Sequence, residues 1–432
     1  MFATCKKLKQ IAILNKLEKY GVGILYVATI LGICFSFFGS VLNSKMLSKE
    51  LFGDWKYLQN YLTMLSFFIN FGLYYSGGRL IAATNDKKRI GVLKGYMIYM
   101  SVAGLIVMLL ATLIIGFFWH RFLSSSLFHL SLIIFPLFIV HPLMFYLETI
   151  FQSERKMLSF AIYRALPPLL YCSCLYIFKS YFTNNIFLSA FLYYATYFIV
   201  FALFILSDKY TFKRKSQEFD ELKSENKSYG IHLYYGSLWG VGVGYLLPLL
   251  IGYFNINNSE VGNFSLALSF IIPFTFLPAI IGTSYFKQFV HLEKIPAEAF
   301  KKVVYSSLIL LVGTLLFIDF FINLFLGAKY ADVGFLVKIG AGGAILHGLG
   351  DFTNKFLSAK GEAKEIKKVA IIVGVTQVVA SLVFIKYFSS IGAMIARSIG
   401  STVYFVFLYF YYTKKYVWSK KIIVNKIDPV SI

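Results

Sequence analysis

Charge is what this chain has least of. Only 14% of its 432 residues are charged, where a soluble domain of this length carries about 25%. Acidic residues are the scarcest, 20 against 42 lysines and arginines. The shortage excludes an ordinary soluble domain and leaves a polytopic membrane protein. Cysteine is nearly missing as well: Cys5 lies in a basic N-terminal stretch, and Cys34, Cys172 and Cys174 lie in apolar runs. Cys172 and Cys174 stand two apart and would point to nearly opposite sides of a helix, so neither a disulfide framework nor a metal site is expected. The six histidines, His120, His129, His141, His232, His291 and His347, are scattered and form no HExxH pair. Phosphate-cradling glycine loops and nucleophile elbows are lacking. So are long hydrophilic segments, the longest between apolar runs being 207–228. These absences argue against an enzyme, a metal and a cofactor. The net charge of +22 is no sign of nucleic acid, because the cations fall in short clusters between apolar runs, which is how membrane topology is written.

What the chain does have is apolar length. Residues of hydrophobic type make up 58% and aromatic ones 19%. A helix needs about 20 apolar residues to cross the hydrocarbon layer. By that rule twelve spans are predicted, at 20–42, 57–78, 92–118, 127–151, 158–178, 186–206, 231–253, 261–286, 303–326, 335–357, 369–387 and 391–412. The first run is too long for a secretory signal and has no small-residue cleavage site, so it reads as an uncleaved span.

The basic residues orient these spans. With the N-terminus inside, 32 lysines and arginines fall in inside segments and eight in outside ones, counting Lys94, Lys338, Lys355 and Lys386 with the loops nearest to them, and the other two, Arg164 and Arg397, lie within spans. The inside bias then holds at every loop, which predicts both termini in the cytoplasm. The middle segment 207–230 separates two predicted six-helix bundles, 1–206 and 231–432. It is either a solvated charged linker or an amphipathic surface helix. Faint likeness between the halves supports a parallel repeat: LFGDWKY matches EVGNFSL around Gly53 and Gly262, and FQSERK matches AKGEAK with Glu154 opposite Glu362. Seven of nine prolines (Pro136, Pro142, Pro167, Pro168, Pro248, Pro273 and Pro278) fall within spans, where they predict either simple bends or broken helices lining a cavity.

The intramembrane charges are the candidate site. Arg164 sits in AIYRALPPLLY, about 9 Å into the fifth span. Pro168 cannot donate to the carbonyl of Arg164, nor Pro167 to that of Tyr163. A guanidinium and two free carbonyls on one turn fit a water-filled cavity, and an arginine fork suits phosphate. The alternative is an arginine reaching up to the headgroups. Arg397, near Ser398, Ser401 and Thr402, faces either the bundle interior or an acidic partner such as Asp319. Asp351 and Lys355 are four apart with the acid first, which is the spacing of a helical ion pair, and Lys355 is also a candidate cavity cation. Glu148 either couples to an ion or partners Arg164. Gly340, Gly342, Gly343, Gly348 and Gly350 predict close helix approach in the tenth span.

Three stretches carry a resemblance. MLSKELFGDWKYLQ resembles the L-x-P-x-x-F-G-x-aromatic segment of bacterial polysaccharide flippases, with Ser48 in place of the proline. FLGAKYADVGFLVKI is similar to their F-G-x-x-Y segment, and FLSAKGEAK to their L-x-A-x-G-x-x-K turn. The family is that of the O-antigen and capsule flippases of the multidrug/oligosaccharidyl-lipid/polysaccharide exporter superfamily. The resemblance implies a bacterial inner-membrane protein that moves an undecaprenyl-diphosphate-linked oligosaccharide to the outer leaflet by alternating access. It leaves open a coupling ion, proton or sodium, and contact with the polysaccharide polymerase machinery. On this reading Arg164, Arg397 and Lys355 bind substrate, while Asp319, Asp351 and Glu148 couple ions or form ion pairs. A multidrug exporter of the same superfamily is the first rival, but its cationic substrates call for acidic groups rather than arginines. A polysaccharide polymerase or lipid-linked glycosyltransferase would need a long outside loop, and none is predicted.

Overall fold

The computed structural model describes residues 21–212 and 217–418, which are almost wholly helical. The basic N-terminal stretch with Cys5, and the C-terminal residues that carry Lys420, Lys421 and Lys426, lie outside the described residues, as does the expected cytoplasmic placement of both ends. The chain divides into two compact units, Met1–Tyr235 and Gly236–Ile432.

In the first unit the helices are α1 (Gly21–Met46), α2 (Lys49–Ile69), α3 (Leu73–Ala82), α4 (Lys87–Phe118), α5 (Ser125–Ile134), α6 (Val140–Ser153), α7 (Met157–Ile177), α8 (Ile186–Ser207) and α9 (Gln217–Glu225). Helix α10 (Ile231–Ser237) crosses the boundary. In the second unit they are α11 (Val243–Phe254), α12 (Ser259–His291), α13 (Ala297–Phe325), α14 (Asp332–Ala359) and α15 (Ala363–Tyr412).

Ten stretches among the described residues are long and apolar enough to cross a membrane. Two further spans complete the twelve. Helix α15 is 50 residues long but turns at Ser389, where φ is 50° and ψ is −127°. Gly400 packs on the Cβ of Gln377, 3.3 Å from where its own Cβ would stand. In a straight helix those residues would be about 34 Å apart, so the two halves form a hairpin, as the eleventh and twelfth predicted spans require. The second span is α2 with α3. Its apolar face is spent inside the unit, with Phe52, Trp55, Tyr57, Leu58, Tyr61 and Leu62 all buried.

The breaks are not where proline placed them. Helix α7 runs unbroken through Pro167 and Pro168, α11 through Pro248, and α12 through Pro273 and Pro278. Only Pro136 sits at an interruption, a 3-10 turn at Phe135–Ile139. The second span instead breaks at Asn70–Gly72, where Phe71 and Gly72 have φ of 46° and 80°. Freed carbonyls there find side chains from far along the chain. Tyr234 donates to the Phe68 carbonyl at 2.8 Å and Asn226 to that of Phe71 at 3.2 Å. A broken helix is tolerated in a membrane only when such partners exist.

Asn226 belongs to the segment 207–230, expected to be either a linker or a surface helix, and Tyr234 to the start of the predicted seventh span. Among its described residues the segment forms α9, held to the first unit by Arg79–Glu225 at 2.7 Å, by Arg89–Glu221, by the buried Leu222 and by Phe219 against Tyr96.

Glycines set the closest packing. On α1, a Cβ at Gly32 would stand 2.4 Å from the Arg164 carbonyl, and one at Gly39 would stand 3.3 Å from the Tyr171 ring. The two contacts are seven residues apart on both helices, so α1 and α7 run parallel. In the second unit Gly340, Gly343, Gly348 and Gly350 press α14 against Met394, Ser398, Phe274 and Tyr404. Close approach therefore explains four of the five glycines of the tenth predicted span, while Gly342 has nothing within 4 Å.

Candidate functional site

Arg164 projects from the second turn of α7. Its Nη2 lies 2.8 Å from Oε1 of Glu148 on α6, and the guanidinium stands over the Phe160 ring at 5.1 Å. The Tyr163 hydroxyl donates to the same Glu148 oxygen at 3.4 Å. Of the two roles open to Glu148, the geometry supplies the ion pair. Arg164 nevertheless keeps 39% of its side chain exposed, so part of the fork remains available. One expectation is corrected here: the Arg164 carbonyl does not open into a cavity, because Gly32 of α1 covers it.

A second cluster went unseen in the sequence. Lys94, eight residues into α4, is only 2% exposed, with its Nζ 2.8 Å from Glu154 and 2.7 Å from Asp208. Lys156 completes the square, 2.8 Å from Glu154 and 3.5 Å from Asp208. Burial raises the Asp208 pKa, but the hydrogen bond and charge of Lys94 and the charge of Lys156 outweigh it and leave the carboxyl below its ordinary value. The signal was there to read: a lysine inside an apolar run with acids at two neighbouring span ends. It was counted instead with the loop cations.

In the second unit the candidates part company. Asp319 pairs with Lys338 at 2.5 Å, so it is not the partner of Arg397. Arg397 makes no ion pair or hydrogen bond among the described residues. Asp351 does not pair with Lys355. It accepts from the Tyr404 hydroxyl at 3.0 Å and lies 3.9 Å from Nε2 of His347. A cross-helix phenol and a histidine one turn earlier have taken the carboxylate, while the Lys355 stem lies along α12, its Cγ 3.1 Å from a Cβ placed at Gly282. Lys355 too has no ion pair among the described residues. Around Asp351 the network extends through Asn354, which donates to the Tyr404 oxygen at 2.8 Å, and through His347 stacked on the Tyr404 ring at 4.9 Å.

At the turn after α14, Glu362 accepts from Tyr411 at 2.7 Å and Tyr416 at 2.6 Å and pairs with Lys415. Burial works to raise its pKa, yet the hydrogen bonds from Lys415, Tyr416 and Tyr411 prevail and hold it at about 2.

The ion-paired candidates thus split between the units, Arg164 with Glu148 in the first, and Asp319 with Lys338 and Asp351 with Tyr404 and His347 in the second. Arg397 and Lys355 remain cations without a carboxylate among the described residues. An uncompensated charge inside a membrane protein is costly unless it meets water or an anion.

Solved structures share the fold. One titled lipid II flippase MurJ, inward closed conformation, superposes with a TM-score of 0.72 at 14% identity, covering 94% of this chain and 93% of that one. An inward-facing multidrug resistance MATE family transporter of the MOP superfamily gives 0.65 at 16% identity, covering 92% and 98%. The eukaryotic MATE transporter AtDTX14 gives 0.56 at 15% identity, covering 94% and 97%. No curated protein sequence matches the chain. A family model described as polysaccharide biosynthesis protein matches residues 19–286, more than half of the sequence, and the chain belongs to that family.

Proposed function

We propose that this protein is a flippase for an undecaprenyl-diphosphate-linked oligosaccharide, carrying it across the bacterial cytoplasmic membrane by alternating access. The observation that carries the reading is the sign of the uncompensated intramembrane charge. Arg397 and Lys355 have no carboxylate among the described residues, and Arg164 keeps part of its fork exposed beside Glu148. A diphosphate supplies what these groups lack. Membership of a polysaccharide biosynthesis family and a fold shared with a lipid flippase support the same reading.

In this scheme Arg164, Arg397 and Lys355 take the diphosphate and the first sugars. The six-helix bundles 1–206 and 231–432 give the substrate access to each side of the membrane in turn, with both termini in the cytoplasm. Glu148 releases Arg164 to substrate, and Asp351 and Asp319 are the acids open to a coupling proton or sodium ion. Any contact with the polymerase machinery would lie on the outer face, where the product emerges. A multidrug exporter of cations is the competing reading, and it is disfavoured by the same charge sign.

The test is reconstitution of the full chain into vesicles holding a fluorescent undecaprenyl-diphosphate oligosaccharide, with a membrane-impermeant quencher outside. Protein-dependent movement of the label between leaflets supports the flippase. Movement absent for the lipid but present for an organic cation would select the exporter.

A further inference from the structure

Helices α1 and α7 approach most closely where Gly32 meets the Arg164 carbonyl and Gly39 meets the Tyr171 ring. Beyond Tyr171 they leave an open groove of about 460 Å³ lined by Phe38, Val41, Leu42, Cys172, Tyr176 and Ile177. The lining is almost wholly apolar, and Phe38, Tyr176 and Ile177 are exposed. Two cations stand at one end of it. Lys45, on the last turn of α1, follows Val41 by four residues and Leu42 by three, so it continues their face. Lys179, just past α7, holds its Nζ 5.9 Å from the ring centroid of Tyr176, a groove residue. The two ends are tied together, since the Asn184 amide donates to the Met46 carbonyl at 2.9 Å. Both lysines are exposed, and neither forms an ion pair among the described residues.

We infer that this groove is a binding site for an anionic phospholipid, with one acyl chain between α1 and α7 and the headgroup phosphate on Lys45 and Lys179. Three observations fix the class of ligand. The wall is apolar along two helices long and apolar enough to cross a membrane, so its occupant is a hydrocarbon chain. The cations lie only at the helix ends, at headgroup depth, so the occupant carries its charge at one end. Toward Arg164 the groove is shut, because Gly39 sits on the Tyr171 ring and Gly32 on the Arg164 carbonyl. A lipid seated here is therefore separate from the candidate substrate cations, and a bilayer phospholipid fits better than the transported carrier lipid. The two lysines also belong to the eight cations that the inside bias leaves on the sparsely charged side. A local anionic partner gives them a reason to be there.

Full-length protein purified in a neutral detergent, offered equal phosphatidylglycerol and phosphatidylcholine, should retain phosphatidylglycerol about tenfold in excess by native mass spectrometry. Lys45→Gln with Lys179→Gln should remove that preference without loss of folded protein, since both side chains are exposed. Leu42→Trp, which fills the groove, should remove retention of either lipid. With Cys5, Cys34 and Cys174 replaced by alanine, Cys172 should react more slowly with an apolar thiol reagent when phosphatidylglycerol is present. Equal retention of the two lipids by the wild type would overturn the inference, and so would undiminished preference in the double lysine variant. Preferential displacement of phosphatidylglycerol by undecaprenyl phosphate would overturn it in favour of the carrier lipid.

Discussion

Removing Arg164 tests the site through its partner. At 2.8 Å the Arg164–Glu148 pair would be worth about 6 kcal/mol at an effective dielectric of 20. That figure is too large here, because the two side chains keep 39% and 27% of their surface exposed. Exposed pairs contribute up to about 1 kcal/mol, and breaking a buried one costs roughly 3–5 kcal/mol. Arg164→Ala should therefore destabilise by about 2 kcal/mol, largely by orphaning Glu148. Glu148→Gln added to it should recover most of that loss, giving a coupling of about 1–2 kcal/mol in the double-mutant cycle. Thermal unfolding in detergent measures the stability terms, and surface glycan at matched protein level measures export.

Stability and export then separate the two roles of Arg164. If it binds the diphosphate, the double variant is well folded and fails to export. Arg164→Lys keeps the charge but loses the fork, so it should export only in part. Wild-type export from the Arg164→Ala, Glu148→Gln double variant would refute the reasoning, and Arg164 would then be a structural ion-pair partner only.

Three further outcomes follow from the geometry. Gly32→Ala should destabilise by about 1–3 kcal/mol, since its Cβ would stand 2.4 Å from the Arg164 carbonyl, while Gly342→Ala, with nothing within 4 Å, should stabilise by up to about 1 kcal/mol; detergent melts check both. The Glu362 carboxyl is held at about 2 in the folded protein, below its unfolded value of about 4.3, so its contribution is complete above pH 4.3 and disappears as pH falls through 2; the gap in unfolding free energy between wild type and Glu362→Gln should close over that window, and a gap independent of pH would contradict the assignment. A cysteine at Asn257 should react with an impermeant thiol reagent in intact cells while one at Lys88 is shielded, and the reverse pattern would invert the orientation that the lysine and arginine bias predicts.

The spans were legible because hydropathy is a local signal. The run read as 186–206 became Ile186–Ser207, and that read as 335–357 became Asp332–Ala359. The break between the last two spans, expected at 388–390, falls at Ser389. Helix interruptions were less legible. A proline inside a helix removes a single hydrogen bond and adds a clash with one carbonyl, which a packed neighbour such as Gly32 over Arg164 accommodates without unwinding. The break at Asn70–Gly72 needs donors from Asn226 and Tyr234, more than 150 residues away, and nothing in the local pattern announces them. Ion pairs failed for the same reason. Spacing alone favoured Asp351 with Lys355, but a phenol 53 residues on took the carboxylate. Glu148 and Arg164 were found because both charges were isolated in apolar surroundings, which leaves few partners to choose from.

The faint likeness between the halves gains a physical meaning from two of these carboxylates. Glu154 and Glu362, aligned by FQSERK and AKGEAK, each stand in the turn after the fourth helix of their half. Each is linked to a group at the end of that half's last helix, Glu154 through shared lysines and Glu362 directly. Glu154 shares Lys94 and Lys156 with Asp208, the residue just past α8, and Glu362 takes Lys415 and Tyr416, just past α15. The anion keeps its place, while the cation comes from a different helix in each unit. What recurs is therefore a task, closing the fourth turn onto the sixth helix with a fixed negative charge, and the residues that perform it have diverged around that charge. A motif of this kind leaves one shared letter per half in the sequence, which is why the likeness between the halves reads so weakly there.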